Sequence, residues 1–245
     1  MRWTFGTALL MISLVANAQQ LTVSAAASLG EAFREIARGF ESARPGVTVR
    51  FNFAASGALV QQLRQGAPVD VLACADQESM DRAQALALID SPSRRDFTSN
   101  TLVLVAPPQD LNPPLRGMAD LARADVQRIA IGKPESVPAG RYAQQALEAA
   151  KLWAPLTPKY VYADSVRQAL DYVARGEVEA AFVYRTDALL LASKLRIVQT
   201  LDGRARYPVA VVQDSAQKAL AQAFVSHLQG EAAQKTLARF GFGKL

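Results

Sequence analysis

The chain has 245 residues, half of them hydrophobic and 20% charged, with a formal net charge of +5. That is a globular composition with enough apolar material for two small domains. Its Lys and Arg residues are scattered singly, without the clustered basic stripe that nucleic-acid binding needs, so nucleic acid is not an expected partner.

The first eighteen residues stand apart. Arg2 gives a positive start, residues 8–15 are almost wholly apolar, and Ala16-Asn17-Ala18 supplies the small residues of a cleavage site. This is the pattern of a secretory signal peptide over residues 1–18. A membrane anchor would need roughly 20 apolar residues, and this run is shorter. Cleavage leaves a mature chain beginning Gln19-Gln20 with no Cys at its start. The expected product is free and periplasmic, not lipid-anchored.

Short apolar runs then alternate with segments of helical period. Residues 21–26 read as a strand and 29–43 as a helix, with Phe33, Ile36, Ala37 and Phe40 at the spacing of one buried face. Strand 47–53, helix 57–64, strand 69–75 and helix 78–88 follow. This alternation predicts parallel strands with crossover helices, an α/β architecture. A strand within 98–108 changes the rhythm. A second series follows: strand 128–132, helix 139–151, strand 160–163, helix 165–175 and strand 180–184. Segments 195–201 and 207–212 are apolar strands around a polar turn, and 215–240 is helical. The rhythm fits two α/β lobes, the chain leaving the first near Asn100 and returning near Tyr207.

In open parallel sheets, ligands sit where strands end and helices begin, and helix starts favour anions through unpaired N–H groups. Four such junctions are rich in small residues and hydroxyls. Ala25-Ala26-Ala27-Ser28-Leu29-Gly30-Glu31 carries Ser28 three places before Glu31, the spacing of a capping box. Phe53-Ala54-Ala55-Ser56-Gly57 offers one hydroxyl among small residues. Val137-Pro138-Ala139-Gly140 puts a proline in the first turn, where its missing N–H costs nothing. Ala163-Asp164-Ser165-Val166 has Asp164 or Ser165 as cap. Tyr184 ends a strand, where its hydroxyl either packs or faces a cleft. The single cysteine, Cys74, lies in an apolar run and is expected to be buried and inert. With one Cys and one His, His227, a His/Cys cation site is not expected.

Taken together these junctions resemble the periplasmic molybdate-binding proteins of ATP-driven importers. Gly66-Ala67-Pro68-Val69-Asp70, Ala75-Asp76-Gln77, the run Asn100 to Pro107, Val137 to Ala143, Val183-Tyr184, Tyr207 to Val212 and Arg239-Phe240-Gly241-Phe242 extend the likeness over the mature chain. The resemblance implies a two-lobed type II periplasmic-binding fold: two α/β domains joined by two hinge crossings, with the ligand in the cleft. Lobe one would comprise 19–100 and 207–245, and lobe two 101–206. It also implies the site: hydroxyls of Ser28, Ser56 and Tyr184 and backbone amides of Ala139 and Val166, reaching the metal through the molybdate oxygens. Ala55 and Gly57 stand where relatives commonly have Ser. No cofactor is implied beyond the ligand itself, molybdate or tungstate. The implied partners are that oxyanion and the membrane permease of an ABC importer, for a monomer that is not an enzyme. Two other readings fit parts of the pattern. One is a sulfate or phosphate receptor on the same fold. The other is a serine hydrolase, which lacks a Gly-x-Ser-x-Gly elbow and a nearby base.

Overall fold

The computed structural model describes residues 19–108 and 111–245; the expected signal peptide lies outside them. β1 (Gln19–Ala26) passes through a 3-10 turn (Ala27–Leu29) into α1 (Gly30–Ser42), followed by β2 (Val47–Ala54), α2 (Ser56–Arg64), β3 (Val71–Ala73), α3 (Gln77–Ala85) and β4 (Arg95–Asn100). The chain then enters a second layer with β5 (Leu102–Ala106), β6 (Ile129–Gly132), α4 (Pro138–Ala149), the short α5 (Trp153–Leu156), β7 (Tyr160–Ala163), α6 (Val166–Ala174), β8 (Ala180–Tyr184), α7 (Arg185–Leu190) and β9 (Arg196–Thr200). β10 (Ala205–Val211), α8 (Lys218–Gln229) and α9 (Glu231–Arg239) complete the chain.

Two five-stranded sheets result, ordered β2-β1-β3-β10-β4 and β7-β6-β8-β5-β9. The architecture is α/β as expected, but the sheets are mixed, not purely parallel. β10 runs antiparallel to β3 and β4, and β5 antiparallel to β8 and β9. The reason is the crossing itself. Each antiparallel strand is the first that the chain lays down after changing sheets, so it enters from the opposite end. The single strand expected within 98–108 is accordingly two strands in two sheets, with only Thr101 between them. The helical 215–240 segment breaks at Gly230, whose extended backbone both ends α8 and caps α9.

Local packing follows the sequence. α1 buries Phe33, Ile36, Ala37 and Phe40, the face its spacing predicted. Phe33, Phe40, Phe97 and Phe224 are fully or almost fully buried and meet ring to ring, each worth about 1.5–3 kcal/mol relative to exposure. Asp70 stitches the first sheet to the C-terminal segment: its carboxylate accepts from Thr22 N–H at 2.8 Å and from Ser215 Oγ at 2.7 Å. Pro208, tolerated inside β10 because the register shifts there, accepts from Cys74 N–H at 2.9 Å. Cys74 is wholly buried, and burial pushes its thiol well above the usual range.

Candidate functional site

The carboxyl ends of β1, β2, β6 and β7 lead into the 3-10 turn, α2, α4 and α6, and these helix starts converge on one small cavity of about 10 Å³. Ser28, Ser56, Ala139, Val166 and Tyr184 all line it. The walls between them are small, Ala26, Ala27, Ala54, Ala55 and Ala75, with Val137 and Pro138. Among the described residues no charged side chain lines it. A wider mouth adjoins it through Ala27, Ala54 and Ala55, with Arg34, Asp164 and Arg167 on its rim. Another broad hollow, over Tyr142, Gln199 and Arg204, receives none of these helix starts.

Each donor is held by its own local structure. Ser56 is the first residue of α2, and its Oγ accepts from Ala75 N–H at 2.9 Å. Tyr184, at the end of β8, is almost fully buried, with its hydroxyl 3.4 Å from Ala75 O. Burial holds its phenol well above its ordinary pKa, so at neutral pH it remains a donor. Ala139 follows Pro138 at the start of α4. Gly140 makes that placement possible: a Cβ there would stand 1.9 Å from Gly132 O, so only glycine lets the helix start close over the end of β6. Val166 opens α6, where Ser165 is the cap, accepting from Gln168 N–H at 3.2 Å. Asp164 is not the cap; its exposed carboxylate pairs with Lys133 at 2.5 Å. Among the described residues no backbone acceptor takes the Ala139 or Val166 N–H, as the first turn of a helix leaves them.

The capping box at Ser28 does not form. Ser28 sits inside the 3-10 turn, Leu29 occupies the cap position without a side-chain hydrogen bond, and Ser28 Oγ lies 3.0 Å from the Tyr207 hydroxyl. Glu31 serves a different partner, Arg167, at 2.5 Å. Gly57 donates its N–H to Ser136 O at 3.0 Å. A Cβ there would meet that oxygen at 2.7 Å. Its lack of a side chain therefore brings α2 against the loop that precedes α4.

Two bridges joining the elements of the first sheet to those of the second were not anticipated from sequence. Arg141, in the first turns of α4, reaches Asp76 Oδ2 at 2.8 Å and Pro134 O at 2.7 Å, while Asp76 also caps α3. Both charges are largely withdrawn from solvent. Arg167, beside Val166, joins Glu31 of α1 to Asp187 of α7; its Nε is 2.7 Å from Asp187 Oδ1 but off the N–H axis. Burial raises the Asp187 carboxyl to about 6 against the opposing pull of Arg167. The matching runs Ala75-Asp76-Gln77 and Gly140-Arg141 hinted at the first bridge, but nothing local paired them across 65 positions.

The chain matches the model of the bacterial extracellular solute-binding proteins over residues 21–243. It belongs to that family. The molybdate-binding protein ModA of Escherichia coli K12 is 37% identical over 238 residues, spanning 93% of this chain and 90% of that protein. The periplasmic molybdate-binding protein of Azotobacter vinelandii superposes with a TM-score of 0.79 at 25% identity, covering 91% of this chain and 98% of that one. A sulfate-binding protein, SubI of Mycobacterium tuberculosis, reaches a TM-score of 0.81 at 18% identity, with 91% of this chain and 86% of that chain covered. That last likeness is one of fold alone. Membership of the family makes a solute the thing the chain holds.

Proposed function

We propose that this chain is a periplasmic receptor that captures molybdate, and equally tungstate, and delivers it to the membrane permease of an ATP-driven importer. One observation carries the reading: the polar groups that converge on the cavity are neutral hydroxyls and helix-start amides, with no charged side chain among its lining residues. A dianion without a proton asks only for donors, and helix starts add favourable potential without a counter-charge. Ser28, Ser56 and Tyr184 supply hydroxyls, Ala139 and Val166 amides. The relatives named for molybdate favour this anion over sulfate.

The two lobes are residues 19–100 with 205–245, and 101–204, the return lying where β10 begins and not at Tyr207, and they close on the anion as a monomer. The protein works on the periplasmic side of the membrane, as its family of extracellular solute-binding proteins does. Its family is one of solute-binding proteins, and the chain is read as a receptor and not as an enzyme. Calorimetric titration of the mature protein with molybdate, tungstate and sulfate tests the reading. Tight binding of the first two with weak sulfate binding is expected; preference for sulfate would overturn it.

A further inference from the structure

We infer that Tyr207, which does not line the cavity, is a positioning residue that acts with Asn100 to make the Ser28 hydroxyl a dedicated donor toward the bound oxyanion. This rests on the oxyanion reading above and adds to it a determinant of which oxyanion is held.

The direction of each hydrogen bond follows from one fixed end. Asn100 Oδ1 accepts from Thr101 N–H at 2.9 Å, which turns its Nδ2 the other way as a donor. That nitrogen lies 2.9 Å from Thr186 Oγ1 and 3.2 Å from the Tyr207 oxygen. Tyr207 is fully buried, and burial keeps its phenol protonated. Its oxygen receives from Asn100, so its one proton is directed to Ser28 Oγ, 3.0 Å away. Ser28 therefore accepts from behind, and its own proton is left for the cavity it lines.

Ser56 reaches the same state by a different route, since Ala75 N–H occupies its oxygen from behind at 2.9 Å. A hydroxyl has both donor and acceptor capacity. At both serines the acceptor side is engaged by the protein, and the donor side is what a ligand meets. An anion still carrying a proton, such as hydrogen phosphate, meets at each serine an oxygen whose acceptor capacity the protein already half fills and whose proton points to the cavity. At Ser56 the guard is a backbone N–H that side-chain substitution leaves in place. At Ser28 it is a side chain 179 positions away, which can be removed.

The test is a double-mutant cycle by calorimetry on wild type, Tyr207→Phe, Ser28→Ala and the double variant, each titrated with molybdate and with hydrogen phosphate. Tyr207→Phe should weaken molybdate about tenfold in the wild-type background, equivalent to about 1.4 kcal/mol, and less than about twofold in the Ser28→Ala background. Hydrogen phosphate affinity should not fall, so the ratio of the two narrows. Asn100→Leu removes the donor that sets the polarity and should give the same pattern, which keeps the inference testable if the Phe variant does not fold. An equal loss in both backgrounds would make Tyr207 merely structural and overturn the relay, as would an unchanged molybdate affinity. A wild type that prefers hydrogen phosphate to molybdate would overturn the receptor reading itself.

Discussion

The two sheets surround the cavity with the same device, helix starts at strand ends, yet they furnish it with different chemistry. The first sheet delivers serine side chains, Ser28 after β1 and Ser56 after β2, each held from behind by a hydrogen bond. The second delivers mainly backbone, Ala139 after β6 and Val166 after β7, with Tyr184 its one hydroxyl. The difference teaches where specificity is adjustable. A serine donor disappears with almost any substitution, whereas an amide persists under every side chain but proline and is otherwise lost only by moving its helix.

The strongest way to break the comparison is at the joint between the two halves. Arg141→Ala leaves Asp76 buried without its partner, and removing one member of such a pair costs about 3–5 kcal/mol. Thermal unfolding of the variant should show a drop of that order, with the start of α4 loosened and molybdate affinity reduced alongside. An unchanged melting temperature would show that the bridge contributes nothing.

Removing the side-chain donors comes next. Ser28→Ala and Ser56→Ala should each weaken molybdate roughly ten- to hundredfold, because a hydrogen bond to a charged group is worth about 1.5–3 kcal/mol. Folding should be retained. If both variants titrate like wild type, the cavity is not the binding site.

A smaller effect separates the two halves by pH. Asp187, facing Arg167 and through it Glu31, has its carboxyl raised from 3.8 to about 6. A raised folded-state pKa means the folded protein holds that proton more tightly than the unfolded chain. The resulting stability is full below the unfolded value and is lost as pH climbs through the folded one. Between about pH 5 and pH 7 the loss should be roughly 1 kcal/mol. Denaturant melts of wild type and Asp187→Asn across this interval check it: the gap between them should move in favour of Asn as pH rises. A constant gap would mean that Asp187 stays ionised throughout.

The smallest expected change sharpens the contrast most. Val166→Ala trims a side chain but keeps the amide, so molybdate affinity should stay within about twofold of wild type, less than 0.5 kcal/mol. A loss comparable to that of the serine variants would show that the side chain, not the backbone, is what matters there.

This contrast also explains what could be read from the residues alone. Ser56, Pro138 and Ser165 announce helix starts through local chemistry, and the five residues assigned by resemblance do come together around one cavity. α1 was legible because a buried face leaves a periodic trace. Ser28 misled because its spacing to Glu31 satisfies a local rule, while the groups that engage both residues lie far along the chain in Tyr207 and Arg167. Strand direction in β5 and β10 escaped for a related reason. An apolar strand reads alike in either sense, and only the point of crossing decides it. Arg141 with Asp76, and Asn100 with Tyr207, are pairs that only the folded chain assembles.

Cys74 has a practical sequel. The sequence holds no other thiol, and this one is walled in beneath Ser56 and kept protonated. A cysteine introduced at an exposed rim position such as Asp164, whose side chain is 75% accessible, would be the one group that a maleimide dye could reach. The molecule thus lends itself to single-site labelling without prior removal of a native cysteine. A fluorophore there, at the mouth beside Arg167, would turn the receptor into an optical sensor for its own ligand.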